Sequence, residues 1–231
     1  MIDHYDWAGG REAMLRFGPA AGPVVVAAPP LFEEANRTRA FLVTILRLLA
    51  QRGIAGALPD LPGQGESLVP TDRSSILKMR DAFNFACDKF DREGRNCYAL
   101  GVRSGALLDT LAPVAGRWHF APMPGDKLLR ELKRAAIAAD PQRHDLDSPV
   151  LGGSTPIEIA GNPLAPALLA ELVTARPAPD ARVVRLASDP ADAIRRVDGA
   201  PLWRRAEPDN DPALAALLAE DIAVWIRACE S

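Results

Sequence analysis

One pentapeptide has residue types and spacing that suit chemistry at a tight turn: Gly101-Val102-Arg103-Ser104-Gly105. It follows the apolar run at residues 97–100, which predicts a buried strand, and it precedes residues 106–111, which we predict to be helical. Glycines at its first and last positions fit a sharp strand-to-helix turn that presents its central residue at the edge of a sheet. That central residue is Arg103, a permanent cation and not a nucleophile.

Ser104 is the hydroxyl nearest to the centre of this turn, so we treat it as a candidate nucleophile. It comes one residue late, and the turn is expected to direct its side chain away from the usual position of attack. Its backbone N–H lies where such a turn donates one oxyanion hydrogen bond. The segment does not fit a phosphate-binding loop, because it has neither the P-loop glycine pattern nor its lysine.

Acyl transfer by a serine also needs an acid, a base and further oxyanion donors. The backbone near Leu31 and Phe32, after the first predicted strand, is the expected second source of oxyanion hydrogen bonds. Asp189 and Asp192 follow a later predicted strand and are candidates for the acid. Both also suit turn formation and helix capping, which remains the competing interpretation.

The general base is absent from the place where it is expected. A histidine should follow the last predicted strand, residues 201–206, but residues 207–211 are Glu-Pro-Asp-Asn-Asp. The histidines of the sequence are His4, His119 and His144. His119 falls inside a predicted strand, where we expect a buried core or pocket residue. The sequence therefore predicts a degenerate triad.

Three roles remain open for the charged groups at this edge of the sheet. Arg103 can form an internal ion pair, because guanidinium binds carboxylate or phosphate through two hydrogen bonds. It can instead line an open cationic pocket that binds an anionic ligand, with Leu31, Phe32 and Glu33 as further ligand-binding candidates. A third alternative is Glu207 as a general base that acts on water. The carboxylates available for an ion pair are Glu33, Glu34, Asp189, Asp192 and Glu207.

The elements that position these turns alternate along the chain. The pattern predicts strands at residues 24–28, 54–58, 97–100, 118–121, 182–186 and 201–206. It predicts helices at residues 38–52, 73–92, 127–139, 163–175 and 212–229. Such alternation indicates an α/β fold with a doubly wound, mostly parallel sheet and helices on both faces. Ligands bind such sheets at the carboxyl ends of the strands, where the turns above converge. Trp203, in the last predicted strand, is expected in the core.

Composition limits the class of protein further. The chain has 231 residues, of which 48% are apolar, and shows neither repeats nor a linker, so we expect one domain over residues 1–231. Residues 123–162 form a candidate lid or insertion, with an irregular stretch at 140–162. The net charge of −3 does not favour a nucleic-acid partner. We expect neither a transmembrane segment nor a signal peptide. Cys87, Cys97 and Cys229 are far apart and indicate free thiols in a reducing cytoplasm, with no metal site and no cofactor.

Five segments carry a resemblance to a known family: residues 29–39, 60–67, 100–108, 122–130 and 201–208. With these motifs the chain resembles the α/β-hydrolase superfamily, and more closely the group called exosortase A system-associated hydrolase 2. That group is named for gene neighbourhoods that make exopolysaccharide and sort proteins. It too has arginine at the central position of the tight turn, where Arg103 lies in this sequence. The resemblance implies a hydrolase of esters, thioesters or other acyl groups, acting on a small-molecule, acyl or saccharide-type substrate.

Overall fold

The computed structural model describes residues 1–140, 155–159 and 161–231. An eight-stranded sheet with strand order β1-β2-β4-β3-β5-β6-β9-β10 forms its centre, and β7 and β8 form a separate antiparallel pair. In the large sheet β2 pairs antiparallel with both β1 and β4, and the other pairings are parallel. The strands are β1 (Ile2–Trp7), β2 (Gly10–Phe17), β3 (Val24–Ala28), β4 (Ala55–Pro59), β5 (Cys97–Val102), β6 (Gly116–Phe120), β7 (Ile157–Ile159), β8 (Asn162–Leu164), β9 (Arg182–Leu186) and β10 (Arg195–Val197).

Helices cover both faces of this sheet, as the alternating pattern predicted. One apolar core includes α2, α3 and α4, and the other includes α1 and α5. Every residue of β3, β4 and β5 is buried, which explains why these strands are continuous apolar runs in the sequence. The helices are α1 (Glu33–Gln51), α2 (Ile76–Arg92), α3 (Gly125–Ala139), α4 (Pro166–Thr174) and α5 (Pro212–Cys229). The predicted α/β fold class is therefore confirmed.

The helix predicted at residues 106–111 is wrong. A short 3-10 turn, Arg103–Leu107, follows β5 instead, and the Leu108 amide donates to the carbonyl of Gly105 at 3.0 Å. The next carbonyls are taken by arginine side chains: Leu107 accepts from Arg80 and Asp109 accepts from Arg117. These bonds satisfy carbonyl groups that a continuing helix would have paired with its own amides.

The strand predicted at residues 201–206 is also wrong, because Leu202–Arg204 forms a 3-10 turn. Leu202 and Trp203 are apolar since they pack into the core beside α1 and α5, not because they pair in the sheet. The last strand is β10, a short edge strand of sequence Arg-Arg-Val that has no apolar run to reveal it. The β1–β2 hairpin at the other edge was likewise not predicted.

One buried carboxylate joins the last helix to three strands. Asp221 on α5 accepts hydrogen bonds from Trp118 on β6, from Nε and Nη2 of Arg182 on β9, and from Arg195 on β10, at 2.7 to 2.9 Å. Burial opposes ionisation of Asp221, but these donors outweigh it and lower its pKa to about 2. This cluster fixes the β9–β10 edge against α5.

The candidate lid falls partly on residues outside the described part of the chain. Residues 141–154 and residue 160 are not described, and His144 lies among them. The described remainder of residues 123–162 supplies α3, β7 and part of β8. No helix within the described ranges is long and apolar enough to cross a membrane.

Candidate functional site

Four parallel strands end side by side, and the loops that follow them form the candidate site. β3, β5, β6 and β9 are neighbours in the sheet, with Ala28 opposite Gly101, Val102 opposite Phe120, and Phe120 opposite Val184. Among the described residues, three that are not glycine have a positive φ, and each follows one of these strands: Phe32 (59°), Arg103 (54°) and Ala121 (47°). Such unfavourable backbone angles cluster where the surrounding structure imposes them, commonly at functional sites.

The turn around Arg103 has the close packing that its glycines require. A Cβ on Gly105 would lie 2.1 Å from the carbonyl oxygen of Ala28, and one on Gly101 would lie 2.9 Å from the ring of His119. The turn therefore has the tight geometry of a nucleophile elbow, with its central residue in the left-handed region. An arginine occupies the position that would hold a nucleophile.

Arg103 is held by one carboxylate through two hydrogen bonds. Its Nε and Nη2 donate to the two oxygens of Glu34, each at 3.1 Å, and the two side chains are only 9% and 13% exposed. Nη2 also lies 3.3 Å from the sulfur of Met123 and 3.4 Å from an oxygen of Glu131. The guanidinium carbon is 4.6 Å from the centroid of the Trp203 ring, within cation–π range.

Glu34 ionises in a partly conflicting environment. Burial disfavours its charged form and nearby Glu131 repels it, whereas the hydrogen bonds and charge of Arg103 favour it; the balance raises the pKa of Glu34 above its ordinary value. Without Arg103 this carboxylate would have little to offset its desolvation. The pair is thus mutually dependent.

The backbone amides predicted as oxyanion donors are already engaged. The Leu31 N–H donates to the Ser104 hydroxyl oxygen at 2.9 Å, and the Phe32 N–H donates to the Gln64 side-chain oxygen at 3.0 Å. Ser104 itself is completely buried. An oxyanion could bind these amides only after both side-chain acceptors had moved away.

A cleft of about 180 Å³ opens beside Arg103, at the ends of β5, β6 and β9. Ser104 does not line it. Its charged lining residues are Arg103, Lys127, Glu131, Asp189 and Arg204, and its remaining residues are Ala121, Leu186, Ser188, Pro190, Pro201 and Trp203. The cleft is small and mixed in polarity, which suits a compact ligand with a charged group.

The two candidate acids lie differently from each other. Asp189 lines the cleft, but its carboxylate accepts from Arg185 at 2.7 Å and from the Ala191 amide at 3.1 Å. Burial opposes ionisation of Asp189, yet these two donors and the charge of Lys127 lower its pKa. Asp192 is exposed, and its carbonyl oxygen, not its carboxylate, accepts from Arg185.

The remaining candidates are not brought to the cleft. Glu33 and Glu207 are exposed and do not line it. His4 is exposed on β1, at the far edge of the sheet. His119 is completely buried and its Nε2 lies 2.7 Å from a carboxylate oxygen of Asp109, which is also completely buried. This pair lies below the Arg103 turn, against Gly101.

Helical spacing in the sequence indicates that Glu34 faces inward, but the helix was predicted to begin too late, at residue 38, for this to be recognised. α1 begins at Glu33, not at Thr38, so Glu34 lies one turn before Thr38 and two turns before Phe41, both of which are buried. That spacing places Glu34 on the inward face and Glu33 outside. Met123, Gln64 and Glu131 were not predicted, since their roles depend on how separate loops meet. Trp203 was predicted in the core, where it packs against Phe120, but it also lines the cleft.

Comparison with known proteins identifies the fold. Est1E from Butyrivibrio proteoclasticus, solved with ferulic acid bound, is similar with a TM-score of 0.65 and 13% identity, covering 98% of each chain. XC6422 from Xanthomonas campestris, described as an α/β serine hydrolase without lid, has a TM-score of 0.57 and 13% identity over 97% of this chain and 94% of that one. The bottromycin epimerase BotH, in complex with bottromycin A2, has a TM-score of 0.57 and 17% identity over 97% and 98%.

At these identities the similarity shows a shared fold and nothing finer. No protein-family model matches the chain, and no curated protein sequence is significantly similar to it. The chain has an α/β-hydrolase fold over nearly its full length.

Proposed function

We propose that this α/β-hydrolase-fold protein binds a small anionic ligand in the cleft beside Arg103, and that it does not cleave esters through an elbow serine. The observation that carries the proposal is the bidentate pair of Arg103 with Glu34 at the nucleophile position. A guanidinium cannot attack a carbonyl carbon, and its two bonds to Glu34 hold it in one orientation at the wall of the cleft. The alternative, an acyl hydrolase, would require another nucleophile and free oxyanion donors.

The charges of the cleft support an anion over a cation. Glu34 pairs with Arg103, and Arg185 pairs with Asp189. Lys127 and Arg204 line the cleft, are exposed, and form no ion pair with any described residue. Ser188 adds a hydroxyl that can donate to an anion, and Leu186, Pro201 and Trp203 offer apolar contact.

The resemblance to exosortase-associated proteins belongs to this proposal and adds a source for the ligand. An acidic saccharide or an acyl carboxylate from exopolysaccharide assembly would present the required charge. Ferulic acid, which is bound to Est1E, combines a carboxylate with an aromatic ring and is a suitable first probe.

The test combines binding with turnover. We expect ferulate to shift NMR signals of residues around the cleft, and Arg204→Ala to weaken that binding. Arg47→Ala is the matched control, because Arg47 is exposed on α1 more than three turns beyond Glu34. We expect no hydrolysis of p-nitrophenyl butyrate above the rate without protein. Turnover that is lost in Ser104→Ala or His144→Ala would refute the proposal, as would the absence of binding by both ferulate and phenyl phosphate.

A further inference from the structure

We infer that Glu131 is an internal competitor for the cleft: it holds the outer side of the Arg103 guanidinium until a dianionic ligand, such as a phosphate monoester, displaces it. This inference rests on the proposed binding function and specifies the charge of the ligand. Arg103 has two carboxylate partners, Glu34 and Glu131, whose contacts with it differ in number, length and exposure.

Glu34 is the permanent partner. It accepts two hydrogen bonds from Arg103, at 3.1 Å each, in the first turn of α1. Glu131 lies on α3 and approaches only Nη2, through one longer contact of 3.4 Å. Its side chain is 37% exposed, and it forms no other hydrogen bond or ion pair with a described residue. A single long contact from a partly exposed side chain is easily exchanged.

Glu131 occupies the side of Arg103 that a ligand would approach. Both residues line the same cleft, whereas Glu34 does not. No described residue accepts a hydrogen bond from Arg103 Nη1, so the guanidinium has a donor to offer an incoming anion besides the one that Glu131 now contacts. A ligand oxyanion in this position would be repelled by Glu131 and attracted by Arg103.

The charge balance favours a ligand with two negative charges. Salt bridges join Arg103 to Glu34 and Asp189 to Arg185, whereas Lys127 and Arg204 form no ion pair with a described residue. Glu131 is the one further carboxylate among the described residues that line the cleft. When Glu131 turns away into solvent, the positive charges around the cleft therefore exceed the negative charges by two. A phosphate monoester supplies two charges and three oxygen acceptors, whereas a carboxylate supplies one charge.

The experiment measures the dissociation constants of phenyl phosphate and of ferulate for the full chain and for three variants. We expect both Glu131→Gln and Glu131→Ala to bind phenyl phosphate about two- to fivefold more tightly, which is the upper part of the range for removing one partly exposed like charge. Glu33→Gln is the matched control, because it removes the same charge from a residue that does not line the cleft. The gain in affinity for phenyl phosphate that the Glu131 variants show should be smaller at 1 M salt, where charges are screened within about 3 Å.

The outcomes separate this inference from the function on which it rests. If the unaltered protein binds phenyl phosphate but neither Glu131 variant binds it more tightly, competition by Glu131 is refuted while the anion cleft stands. Tighter binding in Glu131→Gln alone would also refute it, because the amide would then be acting as a new donor. If folded protein binds neither phenyl phosphate nor ferulate, the proposed function itself fails.

Discussion

Replacement of Arg103 by methionine tests the central ion pair most directly. Methionine keeps much of the length of the side chain but leaves Glu34 without its two hydrogen-bond donors. Both side chains of the pair are nearly buried, at 9% and 13% exposure, so solvent screens them little. Removing one partner of such a pair typically costs about 3 to 5 kcal/mol. We expect a loss of this size in the free energy of unfolding at pH 8.

The loss should depend on pH with a definite sign. Glu34 already has a raised pKa in the folded protein, so its contribution to stability is greatest below the ordinary glutamate pKa and falls as pH rises through the raised value. Without Arg103 that pKa rises further, because burial then acts with no opposing cation. Protonated Glu34 carries no charge, so Arg103→Met should lose less stability at pH 5 than at pH 8.

Urea unfolding followed by circular dichroism measures both effects, and a double-mutant cycle isolates the pair. The variant with Arg103→Met and Glu34→Gln should recover about 2 kcal/mol or more relative to Arg103→Met alone, since no buried charge remains unpaired. A cost below about 1 kcal/mol for Arg103→Met at pH 8 would contradict our description of the site. So would a double variant no more stable than the single one.

Two further predictions concern the scaffold of the site. Asp221→Asn should cost about 2 to 4 kcal/mol in the free energy of unfolding at pH 7. The pKa of Asp221 is lowered from 3.8 to about 2 in the folded protein, so its ionised form stabilises the fold above pH 3.8, and this stabilisation is lost as pH falls toward 2. Urea unfolding should therefore show a smaller difference between Asp221→Asn and the unaltered protein at pH 3 than at pH 7. Ser104→Ala removes the acceptor of the buried Leu31 amide and should cost about 1 to 3 kcal/mol, measured in the same way. We expect hydrolysis of p-nitrophenyl butyrate at the background rate in both the unaltered protein and this variant; hydrolysis by the unaltered protein that Ser104→Ala abolishes would instead identify Ser104 as a nucleophile.

Among the strands that the sequence predicted correctly, β3, β4 and β5 are buried over their whole length. β3 and β5 lie in the middle of the sheet, so their side chains are apolar on both faces and the run is visible in the sequence. β10 has no such run, because its arginines face solvent and the Asp221 cluster. Its place in the sheet depends on α5, which lies more than ten residues further along the chain.

The sequence predicted which loops form the candidate site, but not which side chains bond to one another there. Strand order along the chain located the loops after β3, β5 and β9, because parallel strands end at one edge. The choice of Glu34 among five carboxylates depended on where α1 begins. The engagement of the Phe32 amide by Gln64 depended on a loop more than thirty residues away, and no local pattern encodes such a contact.

The backbone of Arg103 has a positive φ, which favours a role for this residue beyond packing. A residue with a side chain in the left-handed region costs about 1 kcal/mol or more, which glycine would avoid. The guanidinium offsets this cost mainly through its bonds to Glu34 and its contact with Trp203. Yet a buried ion pair is often no more stabilising than apolar side chains of similar volume. Stability alone therefore gives little reason for arginine here, whereas a guanidinium held in one orientation at the wall of a cleft suits the recognition of an anion.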